Sequence, residues 1–148
     1  MPLPPIAETG DLPQGVYRAT LGEILDHFGQ ATLQRKLVGM RLKRIYELAA
    51  ATGGLKRFIV FGSFVTGKSD PNDVDVFLVM HDTFDLDQVA GEARLIFDHS
   101  AAHAHFGASV FWLRHLAALP SEDEAILGWQ LKRDGMRRGI VEITEGQL

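Results

Sequence analysis

Between Leu33 and Leu48 the apolar residues Leu33, Leu37, Met40, Ile45 and Leu48 recur at steps of three to five, with Arg35, Lys36, Arg41, Lys43 and Arg44 largely between them. That period predicts an amphipathic helix over about 31–51, ended by Gly53-Gly54. Upstream, Thr20 and Glu23 have the spacing at which a threonine hydroxyl caps a helix start and the glutamate reaches back, so a short helix is expected over about 21–28, stopped by Gly29. The period then shortens. Residues 56–61 and Asp73–Met80 read as strands, and Ser69-Asp70-Pro71-Asn72 between them is turn chemistry. Thr83 or Asp85 can cap a helix running to about 99. A third strand is expected over Ala104–Leu113, with Phe106, Val110, Phe111 and Trp112 as packing residues. Ser121 and Glu124 repeat the capping spacing and start a helix that fades near Lys132. Asp134-Gly135 makes a turn, and Gly139–Ile143 reads as a final edge strand.

These elements predict an α/β (α+β) protein whose mixed or antiparallel-leaning sheet of three to five strands is backed by the 31–51 and 85–99 helices. The Pro- and Gly-rich residues 1–19 read as an extended N-terminal arm, and 20–148 as one domain. A chain of 148 residues is long enough for one core and short for two. No apolar run reaches eighteen residues, so no membrane span is expected. Met1-Pro-Leu-Pro-Pro-Ile lacks the basic start and apolar stretch of a secretory signal, and with no cysteine the expected address is cytoplasmic. The formal net charge of −4 argues against a protein that grips duplex nucleic acid. The basic residues from Arg35 to Arg44 and from Lys132 to Arg138 read as solvated helix and turn surface.

The chemistry concentrates in one segment, Phe58-Ile-Val-Phe-Gly62-Ser63-Phe-Val-Thr66-Gly67-Lys68, followed by Asp73-Val74-Asp75. Two carboxylates two residues apart on a strand point to one side. They repel each other, so a site that presents both needs a cation, and hard oxygen ligands suit Mg²⁺, with Mn²⁺ the substitute. A glycine-serine turn just past a strand end supplies backbone N–H groups and a hydroxyl suited to phosphate oxygens.

Residues 54–80 resemble the nucleotidyltransferase fold of the DNA polymerase beta superfamily, whose signature is a hydrophobic strand, Gly-Ser, a short helix and Asp-x-Asp on the next strand. The small bacterial members, including minimal nucleotidyltransferases paired with toxin-like partners, are similar in size, and an uncharacterised subgroup bearing Gly-Ser-Phe-Val-Thr-Gly-Lys is closer still. The resemblance implies a nucleoside triphosphate held by Gly62 and Ser63, and Mg²⁺ bound by Asp73 and Asp75, the catalytic pair. Thr66 and Lys68 would add a hydroxyl and a point charge toward the polyphosphate, with a solvated turn lysine as the alternative for Lys68. The implied reaction passes a nucleoside monophosphate to an acceptor hydroxyl that the sequence does not name. The alternative is a catalytically degenerate relative that binds nucleotide or serves as a toxin–antitoxin-type partner of another protein.

The chain departs from that pattern on the next strand, where active members usually carry a third carboxylate. The aligned position is Ser109, or Ala108 if the register differs by one. Asp85, Asp87, Glu92 or Asp98 from the preceding helix, or His103 or His105 as a base, are the substitutes in reach of the pattern. His99, His103 and His105 read as a helix-to-strand passage, with a zinc site as the sharper alternative. Trp129, Lys132, Arg133, Arg137 and Arg138 either clamp a base and its phosphates or form a helix end over a core-filling tryptophan.

Overall fold

The computed structural model describes residues 3–144. In chain order the elements are β1 (Gly15–Ala19), α1 (Leu21–Phe28), α2 (Leu33–Ala51), β2 (Leu55–Phe61), β3 (Val74–Met80), α3 (Glu92–Leu95), α4 (His99–Phe106), β4 (Ala108–Arg114), α5 (Glu122–Leu127) and β5 (Gly139–Ile143). The strands form one mixed sheet in the order β1-β5-β2-β3-β4. β1 runs parallel to β5 and β4 parallel to β3, while β2 is antiparallel to both β3 and β5.

Strand alternation divides the apolar residues between two faces. Phe58, Val60, Val76, Leu78, Ala108 and Val110 meet Val38, Leu42, Ile45 and Ala49 of α2, Ile24 of α1 and Phe106 of α4 in the main core. Each of the larger side chains, fully buried, contributes about 1.5–3 kcal/mol, and the alanines less. On the other face Ile59, Phe61, Phe77, Val79 and Ile140 pack with Ile126 and Trp129 in a smaller cluster. The sheet therefore has one dry face and one that is partly open. Among the described residues, no helix is long and apolar enough to cross a membrane.

Capping follows the sequence. Thr20 and Glu23 make the reciprocal capping box, and Ser121 accepts from the Glu124 amide. Several expectations need correction. The helix expected to run to 99 is broken into a single turn at Leu86–Gln88, capped by Asp85, and the four-residue α3. A new helix then starts at His99, capped by Asp98, and runs to Phe106, so the third strand begins at Ala108 rather than Ala104. Gly107 sets that boundary with a left-handed φ of 63°. β5 is interior rather than an edge, because Gly15–Ala19 of the expected arm pairs along its outer side.

The buried face of α2 also differs from the expected one. Leu33, Leu37 and Met40 are exposed, while Arg35, Val38, Gly39, Leu42, Ile45 and Ala49 are buried. Gly39 allows this roll, since a Cβ there would stand 3.2 Å from Leu25 Cδ2 and 3.7 Å from Phe64 Cζ.

Candidate functional site

The pairing of β2 with β3 builds the site. Phe61, the last residue of β2, lies opposite Asp75, so the turn that follows Phe61 is delivered directly beside that carboxylate. Gly62 there has φ 80° and ψ −165°, and an added Cβ would sit 1.9 Å from Asp75 Oδ2. Both the backbone conformation and the space demand glycine. The chain then makes one tight turn at Ser63–Val65. The Ser63 hydroxyl has no hydrogen-bond partner among the described residues.

A buried arginine shapes the loop beyond. Arg35, only 5% exposed, donates from Nη1 to the carbonyls of Phe28 (3.0 Å) and Phe64 (2.7 Å). Its Nη2 donates to the carbonyls of Thr66 (2.8 Å) and Lys68. One guanidinium thus ties α1 to three carbonyls of the Gly-Ser loop, and Arg35 is not the solvated surface residue expected. Burial lowers its pKa, and the charge of Asp70 opposes that shift. From the other side, the Gly67 amide donates to the carbonyl of Gly10 in the N-terminal segment (2.8 Å).

Asp75 and Ser109 are direct partners in the parallel β3–β4 ladder, which places Ser109, not Ala108, beside the acid. Ala108 is fully buried on the opposite face. The Asp75 carboxyl is raised to about 6, chiefly by burial and then by the charge of Asp73. The Ser109 hydroxyl and the Arg138 guanidinium oppose that rise without cancelling it. Asp73 stands half-buried just before β3, close enough for its charge to act on Asp75.

Gly62, Ser63, Asp75 and Ser109 open into a cleft of about 630 Å³ on the partly open face. Its wall comes from the segment after α5, where Lys132, Arg133, Asp134 and Arg138 all line it. Trp129 spans the floor, with ring centroids 4.6 Å from Phe61, 5.2 Å from Phe77 and 5.0 Å from Phe111. Arg138 is held over the Phe61 ring at 5.2 Å and donates from Nε and Nη2 to the Trp129 carbonyl at 3.2 and 3.1 Å. Lys132 Nζ donates to Asp11 Oδ2 at 2.8 Å. Arg133 is exposed and has no ion-pair partner among the described residues. Four of the basic-aromatic set thus line the cleft with the acid, Trp129 at the same time packing on the second core, and Arg137 is the one member outside the cleft lining.

Two expected residues point elsewhere. Thr66 is folded into its own loop, its hydroxyl donating to the Ser63 carbonyl (2.6 Å) and accepting from the Lys68 amide (3.1 Å). Lys68 is exposed, neither residue lines the cleft, and Asp73 is also outside its lining although its charge reaches Asp75. The substitute acids are occupied as well. Asp85 and Asp98 cap helical turns, Asp87 is exposed beside Arg94, and Glu92 pairs with Arg44 and with His105 (3.1 Å). His103 and His105 sit on α4, which packs through Ala102 and Phe106 into the main core. His99 lies at the Val110 carbonyl (3.2 Å) and 5.1 Å from the Phe111 ring. Among the described residues, no group of three or more His, Asp or Glu side chains is placed to hold a metal. A second cleft, of about 480 Å³, lies by the C-terminal end of α2, and Asp85 is its only ionisable side chain.

Arg35 is the supporting residue that the sequence reading missed. Its signal was positional: Arg35, Val38, Leu42, Ile45 and Ala49 follow one buried stripe at steps of three and four, so a charge there had to find partners indoors.

No curated protein matches the chain, and no solved structure matches it. A family model does match, over residues 4–144, and it takes in the whole sheet and every residue of the cleft. The chain belongs to that family, described as a family of unknown function, DUF6932.

Proposed function

We propose that the protein is a nucleotidyltransferase-type domain that binds a nucleoside triphosphate with Mg²⁺ (or Mn²⁺) and passes the nucleoside monophosphate to a hydroxyl acceptor. The observation that carries this reading is the Asp75 carboxyl, raised to about 6 at the mouth of a glycine-shaped turn, with no salt bridge of its own among the described residues. A half-buried acid that stays unneutralised is a group with an unmet need for a cation. Asp75, which lines the cleft together with Ser63, and Asp73, whose charge acts on Asp75, offer hard oxygen donors for that ion. They fit Mg²⁺ as a partial ligand set that the phosphate oxygens and water would complete. When bound, the ion neutralises phosphate charge and orients an oxygen for in-line attack.

The chain's own groups divide the remaining work. The Gly62-Ser63 turn donates hydrogen bonds to phosphate oxygens. Arg138, Lys132 and Arg133 supply positive charge along the wall, where a departing pyrophosphate would carry its negative charge. Phe111 and Trp129 offer an aromatic surface for a base. In the reaction a bond forms from the acceptor oxygen to the α-phosphorus as the bond to the pyrophosphate oxygen breaks.

A specific observation favours the second reading, a domain that binds nucleotide without transferring it, alone or as partner of another protein. Ser109 occupies the strand position beside Asp75, and no other strand of the sheet brings a carboxylate there. Without a carboxylate base, activation of the acceptor hydroxyl is slowed while binding survives.

Titration calorimetry with each Mg²⁺–nucleoside triphosphate, followed by pyrophosphate release with candidate acceptors, separates the two. The double variant Asp73→Asn/Asp75→Asn should lose metal-dependent nucleotide binding and release while keeping its circular dichroism. Binding without release supports the second reading. Wild-type affinity retained in the double variant ends both.

A further inference from the structure

The exposed half of α2 is built like one side of a helix–helix interface. Leu33, Leu37 and Met40 lie at i, i+4 and i+7, a spacing that stacks side chains on one helix face. They are 83%, 43% and 69% exposed. Arg44 continues the same line one turn further, held by Glu92, with Arg44 Nε donating to Glu92 Oε1 at 3.0 Å. Two or three large apolar side chains in a row on a surface helix mark a contact surface far more often than scattered ones do.

Charge says what covers them. The protein carries 15 Lys and Arg against 19 Asp and Glu. α2 alone holds five of those basic residues (Arg35, Lys36, Arg41, Lys43, Arg44) and one acid, Glu47. Arg35 is buried under the Gly-Ser loop, Arg44 is paired with Glu92, and the half-buried Arg41 lies against Gly107, so the exposed Lys36 and Lys43 are left to flank the apolar seam. The helix is thus a positive strip on a negative protein. A second copy laid antiparallel across the seam would bring Lys36 and Lys43 of each chain against the other's basic flanks. Opposite charge is needed instead.

We propose that the Leu33–Leu37–Met40 seam of α2 is the docking face for an acidic amphipathic helix of a partner protein, which lays apolar anchors of matching spacing on the seam and Asp or Glu along Lys36 and Lys43. From Leu33 to Arg44 the seam runs about 16 Å at 1.5 Å per residue, so the partner helix spans about three turns. The interface lies on the α2 surface that faces away from the sheet and is independent of the nucleotide reading. Through Arg35, the same helix holds the Gly-Ser loop from its buried side.

The test uses the full chain and a fluorescein-labelled, covalently stapled helical peptide of about four turns, with Leu at i, i+4 and i+7 and Glu at the flanking positions. A second peptide has every Glu replaced by Lys. The acidic peptide should bind saturably and the basic one at least about tenfold more weakly. Met40→Glu and Leu37→Glu, both at exposed positions, should each weaken the acidic peptide at least about tenfold without changing the melting temperature by more than a few degrees. Sedimentation velocity should give a monomer at the same concentration. Three results would each overturn the proposal: equal binding of both peptides or of neither; insensitivity to Met40→Glu; or uptake by vesicles of phosphatidylserine and phosphatidylcholine that Met40→Glu abolishes, which would assign the seam to a lipid surface.

Discussion

Two carboxylates on the partly open face of the sheet have opposite fates. Glu142 of β5 is buried and fully answered: Arg57 Nε and Nη2 donate to its two oxygens at 2.9 and 2.7 Å, and the same guanidinium reaches Asp123 at 2.8 Å. The pair is the largest reason that Arg57 holds its proton more tightly than a free arginine. Asp75 of β3 is half-buried, and Arg138, the cation whose charge acts on it, spends two donors on the Trp129 carbonyl and leaves the carboxyl at about 6. The satisfied acid holds strands together. The unsatisfied one is poised, and the chain keeps it so with a glycine that no other residue could replace. A partly compensated acid in a cleft is thus the sharper candidate for a functional group than the number of charges nearby.

The largest effect should come from breaking the satisfied side. Arg57→Ala leaves the Glu142 carboxylate buried without its bidentate partner, and such losses are worth about 3–5 kcal/mol. Urea denaturation of that variant at pH 7 should show the drop, and a change under about 1 kcal/mol would mean that Arg57 and Glu142 are no more than surface charges. Gly62→Ala comes next. Its backbone strain costs about 1–3 kcal/mol, and its methyl must displace Asp75, so nucleotide affinity should fall further than stability does. Intact affinity in a folded Gly62→Ala protein would separate the turn from the acid.

Much of this contrast was written in the sequence, and the part that was not has a physical reason. The Gly62-Ser63 turn and the Asp73/Asp75 pair were legible because a strand's period of two and a glycine after it are local rules. The alignment with the resembled family left Ser109 or Ala108 beside the acids, and only the β3–β4 pairing decides for Ser109. α4 was hidden because Ala101-Ala-His-Ala-His ends in a residue run compatible with a strand, and only the left-handed Gly107 fixes where helix gives way. β1 and the inward face of α2 depend on long-range partners, β5 for one and the carbonyls bound by Arg35 for the other. The cleft wall was the hardest to place, because Arg138 comes from 63 residues beyond Asp75 in the chain and no periodicity links them.

Asp75→Asn reverses the sign of the first two effects. The folded value of about 6 lies above the usual 3.8, so the fold binds this proton more tightly than the unfolded chain does. Its favourable contribution is complete below about pH 3.8 and is lost as pH rises through about 6. The asparagine protein should therefore gain on wild type across that window and stay ahead at pH 8, by about 1–2 kcal/mol. The full shift, at about 1.4 kcal/mol per unit, is the ceiling, because the amide must also be desolvated. Metal-dependent nucleotide binding by wild type, if the proposed function holds, should strengthen over the same window, as the carboxylate proposed to receive the ion becomes charged. A variant no more stable than wild type at pH 8 would place Asp75 in water.

Ser109→Ala probes the same acid most gently. The hydroxyl favours the charged form of Asp75, so its removal should move the titration midpoint further up, by less than about one unit, the worth of a single hydrogen bond. Carbon-detected NMR of the Asp75 carboxyl would follow it directly. Stability at pH 8 should fall by under about 1 kcal/mol, and that at pH 4 should hold, because the protonated acid asks less of the hydroxyl. A midpoint that moves down instead would mean that Ser109 competes with Asp75 for a cation such as Arg138, and the acid would then be answered after all, as Glu142 is.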